Sequence, residues 1–250
     1  MISEASQRHL IVNADDFGHS PGVNHGIITT HELGIVTSAS LMVRGPAAAQ
    51  AAAYGRERPS LSLGLHVDLG EWRYREGAWA PRYIVCRLDD AGLVAAEVSR
   101  QLSTFRSLVG RDPSHIDSHQ HVHLREPVRS VLLEVARPLA VPLRHWTPGI
   151  HYCGKFHGQS AEGSSLPDAI SAEGLISILE SLPPGLTELG CHPGAGDDFD
   201  TPYRIEREHE TKTLCDPRVQ AALRVLGIAL CSFADPPVSA LGRGCSRADT

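Results

Sequence analysis

Asp15 and Asp16 stand side by side in IVNADDFGHS, directly after an apolar run. Like charges disfavour joint ionisation, so such a pair at a strand end implies a bound cation, a shared proton or solvent exposure. Three more clusters carry groups of the same kind: His66 and Asp68 in LSLGLHVDL, Asp117 to His123 in HIDSHQHVHL, and His192 in CHPG. Imidazoles and carboxylates together are the usual ligands of a divalent metal, and a histidine titrates where acid or base work near neutrality needs it.

The densest stretch admits two geometries. If it is extended throughout, His115, Asp117, His119, His121 and His123 share one face, but alternate residues lie about 6.8 Å apart, so one ion reaches at most two of them. If the chain turns helical after His119, then His119 and His123 become neighbours at i and i+4. His66 lies in an apolar strand, and Asp68 either follows it on the same face or opens the next loop as a solvated residue. Pro193 and Gly194 end the next strand sharply and leave His192 at its mouth, while Cys191 points the opposite way, into the core. His25 and His31 read as surface or packing residues.

Short apolar runs alternate with helical patterns along the chain. Strands are expected at HLIVNA, IVTSASLMV, LSLGLHVDL, SHIDSH, VPLRHW, LTELGCH and GIALCSF. Between them lie helical patterns at 21–34, with Ser20 as N-cap, Pro21 in the first turn and Gly34 as the stop, and at 46–57, 91–109, 125–137, 171–181 and 203–226. Such alternation predicts an α/β fold with a largely parallel sheet, open or closed as a (β/α) barrel, whose chemistry sits at the carboxyl ends of the strands. All four polar clusters fall at such ends. The connections 68–90 and 146–170 are long and rich in aromatic residues, as expected of loops that touch a substrate. Residues 238–250 read as a flexible tail, and the remainder of 1–250 as one catalytic domain.

Composition narrows the function. A formal charge of -6 leaves no basic stripe for nucleic acid. No apolar run is long enough to span a membrane, and the first residues lack the pattern of a secretory leader. The six cysteines show no metal-knuckle spacing and read as free thiols, which fits a cytoplasmic location.

The segments IVNADDFGHSPGVNHGI, GIVTSASLMV, PSLSLGLHVDL, GRDPSHIDSHQHVHL, TELGCHPG and GIALCSFADP resemble, in order and across about residues 10–236, the YdjC-like carbohydrate deacetylases, which include chitooligosaccharide deacetylases. That resemblance implies a single-domain distorted (β/α) barrel and one divalent cation, Mg²⁺ or Zn²⁺. It implies Asp16, His66 and His119 as metal ligands, Asp15 as general base and His192 as general acid. His121 and His123 match motif positions and are expected behind the ligands or against the substrate, with Arg144, Trp146 and Tyr152, beside Trp72 and Tyr74, lining the sugar site. The expected reaction removes an N-acetyl group from an amino sugar or oligosaccharide conjugate. Segments 71–90 and 145–163 match the family only loosely, so the sugar itself stays open.

Two rival readings are weaker. A barrel amidohydrolase or phosphoesterase would carry its H-x-H pair after the first strand, where this chain has its acids. A silent sugar-binding relative would be expected to lack Asp15 or His192. The expected partner is therefore an N-acetylated amino sugar, and homo-oligomerisation is left open.

Overall fold

β1 (Arg8–Phe17) is the central strand of a seven-stranded sheet. The computed structural model describes residues 7–196, 198 and 200–237; the expected tail at 238–250 lies outside them. Neighbours run in the order β6 (Ile116–Ser118), β3 (Ser62–Val67), β2 (Ser38–Leu41), β1, β8 (Gly185–Cys191) and β7 (Ile150–Cys153), and every pairing is parallel. β8 follows one edge of β1 from Arg8 to Ala14. The other edge is shared, with β9 (Ile228–Leu230) on Arg8 to Leu10 and β2 from Asn13 onward. The sheet stops at β6 and β7 and curls into a half-barrel, the distorted (β/α) barrel expected.

Each strand has one apolar and one polar face, although nearly all its residues are buried. Leu10, Val12 and Ala14 join Leu63, Leu65, Val67, Leu189 and Cys191 in the main hydrophobic core. Full burial of each larger side chain contributes about 1.5–3 kcal/mol. The alternate positions Asn13, Asp15, Ser40, His66, Asp117 and Glu188 face the inside of the barrel and bond to one another or to a shared arginine. His115 lies over Gly64, where a Cβ would come within 2.4 Å of the imidazole, and stacks on Phe233 at 3.9 Å. Ile11, Leu186 and Phe233 pack together as a small separate apolar cluster.

Helices flank the sheet where the patterns place them: α1 (Pro21–Glu32), α2 (Ala48–Glu57), α3 (Ala91–Val109), α4 (Val128–Leu139) and α5 (Ala172–Glu180). Ser20, Asp90 and Ser171 cap their helices by accepting a backbone N–H, which satisfies one otherwise orphaned donor each. The expected helix at 203–226 is two, α6 (Arg204–Leu214) and α7 (Pro217–Val225). Pro217 cannot continue a helical ladder, and Asp216 caps the new start. No described helix is long and apolar enough to cross a membrane.

Two expectations about connections fail. Residues 68–90 hold an antiparallel hairpin, β4 (Gly70–Arg75) and β5 (Ala78–Ile84). Its turn residues Glu76 and Gly77 both have positive φ (52° and 82°), the requirement of a tight two-residue hairpin turn. VPLRHW makes no strand, only a bridge from Leu143 to Ile116. The strand on the far edge is β7, in the supposed loop.

Candidate active site

Both aspartates lie at the end of β1, where the ladder slips. Ala14 to Phe17 spans the same stretch as Ala39 to Leu41 of β2, so β1 carries one extra residue. In a regular strand, Asp15 and Asp16 would point to opposite faces. The bulge, with Asp16 at φ 68°, brings both carboxylates to the mouth of the barrel, each 2% exposed. A left-handed backbone at a non-glycine residue is strained, a cost found most often where a site must be shaped.

Asp15 sits on a buried ionic network. Arg144 donates to both of its oxygens, at 2.7 Å each, and pairs with Asp117 and Glu188 at 2.7 Å. Asn13 donates to Oδ1 of Asp15 at 2.9 Å. Burial pushes the Asp15 carboxyl up, but the charge and hydrogen bonds of Arg144 outweigh it and hold the group below its usual range. Asp117 is lowered in the same way. Glu188, with one bond to Arg144 and two anionic neighbours, is pushed up by burial to about 7.

Around Asp16, one donor atom each from Asp16, His66 and His119 lies within 4.8 Å of the other two. Oδ1 of Asp16 is 3.3 Å from Nε2 of His66 and 3.0 Å from Nδ1 of His119. Nδ1 of His66 is bonded at 2.7 Å to Asp117, the carboxylate behind an imidazole that orients ligating histidines. Burial lowers the pKa of His66, yet Asp117, Asp16 and Asp15 together raise it to about 10. The donor set and this preference for positive charge fit a divalent cation. Arg207 of α6 holds the other oxygen of Asp16 at 2.5 Å.

His192 follows β8 and faces Asp15, with Nε2 3.8 Å from Oδ2. Its backbone N–H donates to Glu210, and Arg207 donates to its carbonyl at 3.2 Å. His157 stacks on Tyr203 at 4.6 Å and meets the His192 ring edge-on at 5.3 Å. Burial lowers the pKa of His192 to about 3, so the free protein carries it neutral. The loop after it is pressed by α1: a Cβ on Gly26 would lie 2.4 Å from the Cα of Gly194.

These groups open into a cavity of about 1010 Å³, at the upper end of the ~300–1,000 Å³ usual for ligand sites. It is lined by Trp72, Tyr74 and Trp79 of the hairpin and by His121 and Tyr152. The hairpin is tethered by the Gln120 side-chain amide, which exchanges two 2.8 Å hydrogen bonds with the backbone of Trp72.

Several expected placements differ. Arg144 is 4% exposed and engaged by three carboxylates beneath Asp15, so it supports the site from below rather than touching sugar. Trp146 packs against the core with Arg129 4.8 Å over its ring, and neither it nor His123 is among the described residues lining the cavity. HIDSHQHVHL follows neither simple geometry: the strand ends at Ser118, and Gln120 and His121 are left-handed (φ 51° and 53°) within a 3-10 turn. The kink sends His119 to Asp16 and His123 to Ser118. Asp68 is not solvated; it accepts from Tyr83 and the N–H of Gly70 at the root of the hairpin.

No sequence motif marks Arg207, Glu210, Glu188 or Tyr203 as part of the site. A usable signal was RIEREHETKTL itself: α6 has almost no apolar residues, so a helix that packs on the body must direct polar ones inward.

Residues 9–225 match the profile of the family described as YdjC-like protein. A carbohydrate deacetylase of Geobacillus stearothermophilus is 32% identical, over 90% of this chain and 97% of that protein. A chitooligosaccharide deacetylase of Serratia marcescens is 31% identical, over 92% and 99%. Among solved structures, one from Enterococcus faecalis V583, provisionally named a cellobiose-phosphate cleavage protein, superposes with a TM-score of 0.76 at 27% identity, over 92% of this chain and 98% of that one.

Proposed function

Because the chain belongs to the YdjC-like family, we infer that its cavity is the active site of a metal-dependent carbohydrate N-deacetylase, a hydrolase that cuts the amide of an N-acetylated amino sugar and releases acetate. The observation that carries this reading is the convergence of Asp16, His66 and His119 beside Asp15 and His192. Asp16, His66 and His119 would hold the cation, which supplies a Lewis acid that polarises the acetamide carbonyl and acidifies water. Two imidazoles with one carboxylate suit Zn²⁺, and Mg²⁺ fits if water completes its oxygen shell. The five described cysteines are free, which supports a cytoplasmic location.

The chain's own groups move the protons. Asp15, fixed by Arg144 and Asn13, accepts a proton from the attacking water at Oδ2. His192 is neutral at rest and faces that oxygen, so Nε2 can take the proton and deliver it to the departing amine as the C–N bond breaks. Tyr152 lies over Gly190, where a Cβ would come within 2.7 Å of its hydroxyl, and with His121 and the hairpin aromatics it is positioned to contact sugar.

The test is a panel of N-acetylated compounds, from monosaccharide through chitobiose to longer oligomers and glycolipid head groups, followed by mass shift. Acetate release from at least one is expected, abolished by EDTA and restored by Zn²⁺ or Mg²⁺. Asp16→Ala should lose the ion of this site and activity together, whereas Asp15→Asn should keep that ion and lose about 10²–10⁴ in rate. Full turnover by protein shown metal-free by elemental analysis, or cleavage of phosphate esters alone, overturns the reading.

A further inference from the structure

Beside the site lies a second group of imidazoles. The rings of His121, His123 and His145 are nearly equidistant, with centroids 5.5, 5.6 and 5.4 Å apart. One donor atom of each lies within 4.8 Å of the other two. A tetrahedral ion with Zn–N bonds of about 2.0–2.1 Å needs nitrogens roughly 3.4 Å apart, so small ring rotations would close the set.

Two of the three rings carry an unused buried nitrogen. Nε2 of His123 is buried with no hydrogen-bond partner, in a residue with 0% exposure, and Nδ1 of His121 is buried and equally unpartnered. The far nitrogens are engaged: Nδ1 of His123 is 2.7 Å from the Ser118 hydroxyl, which also accepts that residue's backbone N–H, and Nε2 of His121 is 3.4 Å from the Tyr152 hydroxyl. Contacts of this kind on the remote nitrogen fix the orientation of metal-binding histidines. Buried lone pairs left without a proton or cation are costly, and packing three imidazoles against one another does not satisfy them.

The cation nearest the cluster, Arg144, lies 4.9 Å from the Tyr152 ring and is paired with the three carboxylates Asp15, Asp117 and Glu188. His121 and His145 line the cavity and His145 is exposed, so ions can enter and one coordination position would face the cavity. From this cluster we propose that His121, His123 and His145 bind one divalent cation of the zinc class, separate from the one held at Asp16. Imidazole nitrogen without carboxylate selects zinc-like ions over magnesium.

This site stands apart from the deacetylase reading, and one experiment separates the two. Metal-free protein is dialysed against Zn²⁺ and its content measured by elemental analysis. The wild type is expected to hold two equivalents, His145→Ala one, Asp16→Ala one, and the double variant none. His145 is exposed, so its replacement leaves the core untouched. Loaded with Co²⁺, Asp16→Ala should show the visible bands of a four-coordinate nitrogen site, absent once His145 is also replaced. A single wild-type equivalent that persists in His145→Ala and is lost in Asp16→Ala, or two in His145→Ala, overturns the second site; two in Asp16→Ala overturns the first instead.

Discussion

Replacing Arg144 with methionine keeps most of the side-chain volume and removes the one cation shared by Asp15, Asp117 and Glu188. Breaking a buried ion pair from one side costs about 3–5 kcal/mol, because the partner is left charged and unpaired. The pH dependence identifies that cause. In the wild type, Asp15 and Asp117 are held low, so they contribute stability that is present above the unfolded carboxylate pKa of about 3.9 and lost as pH falls through their lower folded values. In Arg144→Met, burial is opposed only by nearby histidines, chiefly His66, and by the neutral donors Asn13 and Ser40, and both carboxyls are expected to rise above their unfolded values, which reverses the sign: stability is then highest in acid and falls as pH rises. Urea unfolding from pH 5 to 8 should therefore show the gap between wild type and variant widening with pH, by up to about 1.4 kcal/mol per pH unit for each carboxylate. A gap that stays constant across that range would refute the electrostatic account and leave only lost packing.

Three further outcomes follow from other parts of the molecule. Glu188, raised to about 7 by burial, keeps a proton in the folded state that the unfolded chain releases near 4.5, so it subtracts stability as pH rises through that window; Glu188→Gln, a mimic of the neutral form, should match wild type at pH 5 and exceed it by up to about 3 kcal/mol at pH 8 in the same urea assay. A variant less stable than wild type at pH 8 would contradict this. Gly26→Ala forces a Cβ onto the Gly194 backbone and should cost about 1–3 kcal/mol while lowering kcat through the displaced His192 loop; unchanged Tm and kcat would show that the loop yields freely. Trp79 is 57% exposed at the cavity wall, so Trp79→Ala should leave stability within about 0.5 kcal/mol of wild type and raise KM for oligosaccharides more than for the monosaccharide; equal effects on both would remove the hairpin from substrate contact.

What could be read in advance divides along physical lines. Helix α3 is bounded by Asp90, which caps its first turn, and by Gly110 at φ 80°, both local signals, and its expected and observed spans coincide at 91–109. The parallel sheet was legible because β1, β2, β3 and β8 carry apolar residues on one face. β7 was not, since an edge strand needs only one partner and has no such run. VPLRHW shows the converse: it looks like a strand, but its Arg144 is drawn into the barrel by three carboxylates whose convergence no local pattern encodes. The clustering of Asp15, Asp16, His66, His119 and His192 came from their places at strand ends, whereas the hold of Arg207 on Asp16 joins residues 191 positions apart.

The β4–β5 hairpin leaves the sheet between β3 and α3 and pairs only with itself. It is tied to the body by a few side chains, chiefly Gln120 to the Trp72 backbone, Arg73 to Asp200 and Tyr83 to Asp68. The residues proposed to hold the ion and to move the protons all lie elsewhere, on the barrel rim. If the hairpin contacts sugar as proposed, heritable change in residues 72–82 would remodel which sugar is admitted while the proposed catalytic floor and the folding core are inherited intact. One scaffold can in this way diversify across acetylated carbohydrates by drift in a surface ribbon.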